Sequence, residues 1–265
     1  MSVTEVPSRT IDYGERGTVR VYADAEALAR AAAALLAETV SSATGHAYIA
    51  LSGGSTPKRM GQLLAEAPYR ETVAWRDIEF FWGDERFVPE ESPESNSGEA
   101  RRTFLDKVDV EPGRINPFPT TVRDPDLAAE MYATQLKTVF NETDVAPRFD
   151  LVFLGMGDDG HTLSLFPGTA AIHETERFVV ANYVPKLDTT RLTLTAPVVN
   201  AAQRVAFLVG GAGKAETLAK VLDGPVDVDT LPSQIIRPVD GELLWLVDEA
   251  AAANLALRSA TSNDR

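Results

Sequence analysis

The chain has 265 residues and carries 25 Lys and Arg against 39 Asp and Glu, a formal net charge of −14. A nucleic-acid partner, which needs Lys and Arg clustered against phosphate, is therefore not expected. The absence of cysteine excludes disulfides, thiolate metal sites and a cysteine nucleophile, and it fits a reducing cytoplasm.

The N-terminus MSVTEVPSRTIDYGERG lacks the basic start and apolar run of a targeting peptide. The longest apolar stretch, Ala31 to Ala37, falls far short of the ~20 residues of a membrane span, so no membrane partner is expected. Thr18 to Tyr22 alternates like a strand, and Asp24 caps a long Ala- and Leu-rich helix that should stop at Gly45. His46 to Ser52 reads as a buried strand, followed by a helix from Pro57 to about Ala67. Ile78 to Gly83 is strand-like, and the acidic stretch DERFVPEESPES after it reads as a surface loop. Helices are expected at Asn96 to Val108 and Asp124 to Phe140, and a continuous apolar strand at Phe149 to Gly155. RFVVANYV, RLTLTA, RVAFLVG and ELLWLVD supply four more strands, with helices at Lys214 to Asp223 and Asp248 to Leu257.

Strands alternating with helices, several apolar on both faces, indicate an α/β fold with a mainly parallel sheet covered on two sides. The sequence shows no internal repeat or low-complexity linker, so residues 1–265 are read as a single three-layer domain, a monomer or small homo-oligomer. In such sheets ligands collect where strand ends turn into helix N-termini. Four loops follow apolar strands.

In LSGGSTPK, Gly53 and Gly54 let the backbone approach a ligand, and Ser52, Ser55 and Thr56 offer hydroxyls at a helix start. That is a phosphate cradle or, equally, a capped turn. WGDERFVP places Asp84, Glu85 and Arg86 directly after a strand, facing a crevice or one another. GMGDDG matches the dinucleotide fingerprint G-x-G-x-x-G, but Asp158 and Asp159 would oppose a pyrophosphate, and Pro167 comes too soon for the helix that motif requires. What remains is a tight turn presenting Asp159 and His161, a carboxylate two residues before an imidazole, suited to acid–base catalysis. LVGGAGKAETL departs from a Walker A loop at Leu208 and Ala215, which argues against nucleotide hydrolysis. Its Lys214 at a helix start is unfavourable for the helix dipole unless an anion binds there. His46, His161 and His173 have no metal-ligand spacing, so no metal site is expected. Neither a G-x-S-x-G elbow nor a later histidine supports a serine hydrolase.

Taken together, LSGGSTP, GDERFVP with Ser95 and Asn96, GMGDDGHTLSLFPG, RLTLT, GGAGKA, LPSQIIRP and GELLWLVDEAAA resemble the 6-phosphogluconolactonase family from about His46 to Ala252. Leu163 and Leu187 depart from its usual Ala and Pro, with only local packing at stake. The resemblance implies a modified Rossmann-like three-layer sandwich, similar to glucosamine-6-phosphate deaminases and ribose-5-phosphate isomerases. It also implies hydrolysis of 6-phospho-D-glucono-1,5-lactone to 6-phosphogluconate, in the oxidative pentose phosphate pathway, without a cofactor. On the matching positions His161 would be the base, Asp159 its orienting partner, Arg86 the oxyanion stabiliser and Asp84 a positioning carboxylate. Ser52, Gly53, Gly54, Ser55, Thr56, Arg191 and Lys214 would hold the 6-phosphate. An amino-sugar-phosphate deaminase or isomerase is the main alternative, but Phe166 stands where the deaminases carry a glutamate, and Arg86 where they carry tyrosine. A non-catalytic sugar-phosphate sensor is disfavoured, because neither the segment before Thr18 nor the tail after Leu257 could hold a helix-turn-helix.

Overall fold

The protein is described by a computed structural model covering residues 5–142 and 145–256. Its elements in chain order are β1 (Arg9–Asp12), β2 (Thr18–Tyr22), α1 (Ala25–Ser42), β3 (Ala47–Leu51), α2 (Ser55–Leu64), α3 (Tyr69–Thr72), β4 (Ile78–Trp82), β5 (Asp84–Arg86) and α4 (Asn96–Thr103). There follow α5 (Pro125–Phe140), β6 (Leu151–Leu154), β7 (Val179–Val184), β8 (Thr189–Leu194), α6 (Ala196–Asn200), β9 (Arg204–Val209), α7 (Ala215–Asp223) and β10 (Glu242–Asp248).

Seven strands form the main sheet in the order β1-β2-β10-β9-β6-β3-β4, parallel except for β1. All four residues of β6, near the centre, are fully buried, as expected for a strand covered on both faces. Successive side chains point to opposite faces, and β4 shows the result. Phe81 packs on Tyr132 and Phe140 of α5, whereas Phe80 packs on Phe104 at the end of α4. Following the register across the sheet puts Trp245 on the Phe81 side, where it lies with Val221 and Leu222 of α7. The chain is thus an α/β sandwich of three layers, with α5 and α7 on one face and α2 and α4 on the other. Helix α1, capped by the Asp24 carboxylate on the Ala27 amide, packs against α2.

Several expected boundaries shift. Helix α1 ends at Ser42 rather than Gly45, and α2 begins at Ser55 and ends at Leu64. The helix expected to reach Val108 stops at Thr103 and continues as a 3-10 turn. Asp248 ends β10 instead of opening a helix, because its carboxylate accepts the amides of Gly211 and Ala251. Among the described residues only a 3-10 turn, Ala251–Asn254, follows; Leu257 lies outside them.

Two corrections bear on function. The acidic stretch after Gly83 is not all loop, since Asp84–Arg86 form β5. Nor do β7 and β8 join the main sheet: they pair antiparallel with β5 in a separate sheet, β5-β8-β7. This small sheet is fastened to the main one where the Leu194 amide donates to the Gly83 carbonyl and the Gly83 amide to Leu51.

Candidate active site

Strands β9, β6, β3 and β4 are neighbours, so the four loops at their carboxyl ends meet at one edge of the main sheet. The small sheet closes that edge from the side. Between them lies a cavity of about 450 Å³. Nine of the eleven expected site residues line it: Ser52, Gly53 and Gly54 after β3, Asp84 and Arg86 on β5, Asp159 and His161 after β6, Arg191 on β8, and Lys214 before α7. Ser55 and Thr56 do not. Helix α2 starts at Ser55, which carries that residue to the wall of an adjoining cavity of about 220 Å³, and Thr56 lines neither.

The His161 turn is built from several hydrogen bonds. The Gly157 amide donates to the His161 carbonyl at 2.8 Å, and Gly160 takes φ +77°, a conformation that favours glycine. Ser233 holds the Gly160 carbonyl through its hydroxyl at 2.8 Å, and Thr217 holds the Asp158 carbonyl at 2.6 Å. The imidazole stacks on Phe166 with ring centroids 3.9 Å apart. Its Nδ1 lies 2.5 Å from Asp159 Oδ1, and the side chain remains 27% exposed. A carboxylate can only accept, so Nδ1 carries the proton and Nε2 is left as the basic nitrogen.

Asp159 binds a second cation, with Lys186 Nζ 2.9 Å from Oδ2. Burial alone would raise this carboxyl, but the bonds from His161 and Lys186 outweigh it and bring the pKa down to about 2. With a folded value below the unfolded one, the pair's stabilisation is complete above the ordinary carboxylate range and is lost only as pH falls towards about 2.

Asp84 is almost fully buried and accepts the Ser164 hydroxyl at 2.6 Å, while its backbone carbonyl accepts Asn96 Nδ2 at 2.9 Å. Glu85, between the two cavity residues of β5, points away from them. Its carboxylate accepts the amides of Arg86, Asn96 and Ser97 and the Ser95 hydroxyl, which ties β5 to the N-terminus of α4. Burial raises its pKa against the pull of those bonds.

Arg86 and Arg191 are direct cross-strand partners. Like charges so placed are unfavourable. Burial, and then the Arg86 charge, lower the Arg191 pKa; its Nε is buried and makes no hydrogen bond among the described residues. Ser52 Oγ, on the same cavity, is likewise buried without a partner among them. An anion would satisfy both. Lys214 Nζ sits 2.5 Å from Asp158 Oδ1 at the cavity edge. The glycines of the first loop serve geometry: Gly54 has φ +118°, and a Cβ on Gly53 would occupy the place of the Asn96 side chain.

Sequence reading missed Lys186 and the cavity role of Asn96, Ser164 and Phe166. Asn96 was visible in the Ser-Asn pair, but a lysine in a short turn between strands carries no distinguishing signal. Leu163 and Leu187, taken to affect packing alone, both stand on the cavity wall.

Among known proteins, the glucosamine-6-phosphate isomerases/6-phosphogluconolactonase family matches residues 23–245. A 6-phosphogluconolactonase of Synechocystis sp. is 43% identical over 212 residues, covering 80% of this chain and 85% of its own. One from Nostoc sp. is 41% identical over 244 residues, covering 91% and 99%. The solved structure of 6-phosphogluconolactonase from Trypanosoma brucei superposes with a TM-score of 0.80 at 29% identity, over 90% of this chain and 98% of the other.

Proposed function

The chain belongs to the glucosamine-6-phosphate isomerase/6-phosphogluconolactonase family, and from that membership and its site we infer that it hydrolyses 6-phospho-D-glucono-1,5-lactone to 6-phosphogluconate in the oxidative pentose phosphate pathway. The observation that carries the reading is the His161–Asp159 pair in a cavity that also holds Arg86, Arg191 and Lys214.

In the mechanism we favour, His161 Nε2 takes a proton from water as the water oxygen bonds to C1 of the lactone. The carbonyl π electrons move to oxygen, and the Arg86 guanidinium stabilises that oxyanion. When the tetrahedral intermediate collapses, the C1 to ring-oxygen bond breaks and the imidazolium returns its proton to the departing oxygen. The new carboxylic acid then ionises in solution, so each turnover releases one proton. Asp159 keeps the imidazole in the tautomer with Nε2 free, and Asp84 orients Arg86 or a sugar hydroxyl. Ser52, the Gly53 and Gly54 backbone, Arg191 and Lys214 hold the 6-phosphate, far from C1. These local cations outweigh the net charge of −14 because screening limits distant charges to ~8 Å.

Phe166 supports hydrolysis over deamination: it stacks on His161 at the place where a deaminase resemblance calls for a glutamate. Among the described residues no helix is long and apolar enough to cross a membrane. A cytoplasmic location suits the cysteine-free chain.

Proton-release kinetics on freshly prepared lactone test the phosphate assignment. Lys214→Ala raises KM by ~10-fold or more and leaves kcat within a few-fold, because the remaining phosphate contacts from Ser52, the glycine backbone and Arg191 still orient the bound lactone. An unchanged KM would remove Lys214 from the phosphate site.

A further inference from the structure

Lys186 has no place in the mechanism above, yet it touches the residue on which the base depends. It sits in the 3-10 turn Pro185–Leu187 that joins β7 to β8 in the small sheet, whereas Asp159 and His161 follow β6 in the main sheet. The turn is anchored: Asp188 adopts φ +47°, and its carboxylate accepts the Tyr183 hydroxyl at 2.6 Å. From there Lys186 Nζ reaches across the cavity to Asp159 Oδ2, while Oδ1 faces His161 Nδ1. One carboxylate is thus shared between an imidazole and an ammonium group that come from different sheets.

We propose that Lys186 is a positioning residue that sets the basicity of His161 through Asp159. The assignment rests on His161 being the base. Two physical effects follow from the shared carboxylate. Holding Oδ2 fixes the rotation of the carboxylate, so Oδ1 stays on Nδ1. The ammonium charge also offsets part of the negative charge that the carboxylate places beside the ring.

The charged groups surrounding His161 are Asp158 and Asp159 on its own turn, Asp84 and Arg86 on β5, Arg191 on β8, Lys186 after β7 and Lys214 before α7. Of these, Asp159 alone is hydrogen-bonded to the ring, and Lys186 is the cation bonded to Asp159. The Lys186 side chain is 70% exposed, so water and salt weaken its influence without abolishing it.

The test is the titration of the His161 ring followed by NMR. With three histidines in the chain, the His161 signal is assigned by its loss in His161→Ala. Lys186→Met, which keeps the apolar stem and removes the charge, raises the His161 midpoint by ~0.5 pH unit, more at low salt, and Lys186→Arg restores it. The acid limb of kcat/KM moves up with it. A simple structural role would lower the rate at every pH and leave both midpoints in place. An unmoved or lowered midpoint in Lys186→Met, or no restoration by Arg, overturns the proposal. Failure of the base assignment itself reads differently: the acid limb would then persist in His161→Ala, whatever Lys186→Met does to the ring.

Discussion

His161→Ala lowers kcat by about 10²- to 10⁴-fold, measured after subtraction of spontaneous lactone hydrolysis, and leaves KM within a few-fold. The imidazole is the group bonded through Nδ1 to a carboxylate while its other nitrogen is free to move a proton, so the substitution removes both proton transfers at once. Ser52, Arg191 and Lys214, which belong to other elements, stay in place, so the binding proposed above survives. The ring is partly exposed and stacked on one face by Phe166, so its loss opens a void at the cavity wall rather than in the main core. The variant therefore folds, which circular dichroism would verify. Near-wild-type turnover in a folded His161→Ala protein would refute the role of the imidazole.

Gly157→Ala has an effect nearly as large without changing any polar group. A Cβ at residue 157 would clash with the His161 ring, 2.0 Å from Nδ1 and 2.2 Å from Cε1, and stand 2.7 Å from Asp159 Oδ1. The Cα–Cβ bond is fixed by the backbone, and the Gly157 amide is committed to the His161 carbonyl, so the imidazole has to yield. Swinging it aside breaks the bond to Asp159 and displaces Nε2 by an ångström or more, a shift that costs ~10²-fold in kcat. KM changes less than kcat, because the added methyl meets His161 and Asp159 rather than the anion-binding groups proposed above. A Gly157→Ala enzyme with wild-type kcat would mean that the observed imidazole position is not the working one.

The strands of the main sheet were legible because burial on both faces leaves an uninterrupted apolar signature, as in Leu151 to Leu154 and Leu243 to Val247. The edge strand β1 carries no such signature and went unread. Strand β5 was hidden for a related reason: Asp-Glu-Arg looks like solvated loop, yet it is held by backbone pairing with β8 and by the buried Glu85 bracket to α4. That hidden pairing sets Arg86 beside Arg191, although they are distant in the chain; only the topology of the small sheet unites them.

The local motifs were legible because glycines and charges after apolar strands are chemically conspicuous. Aspartate two residues before histidine was enough to single out the pair now seen at 2.5 Å. Hydroxyls in a Gly-rich segment look alike until the helix start assigns each a direction, which here leaves Ser55 and Thr56 off the main cavity. Lys186 was under-read, since its significance comes from a partner on another sheet.

In the proposed mechanism an anion clamp at one end of the sugar holds the lactone carbonyl against a single imidazole. Stopped-flow proton release on freshly prepared δ-lactones with and without the 6-phosphate tests it most directly. Loss of the phosphate lowers kcat/KM by ~10²-fold or more, with kcat falling as well as KM rising, because remote binding is used to orient C1. Equal acceleration of the two lactones over the spontaneous reaction would contradict it.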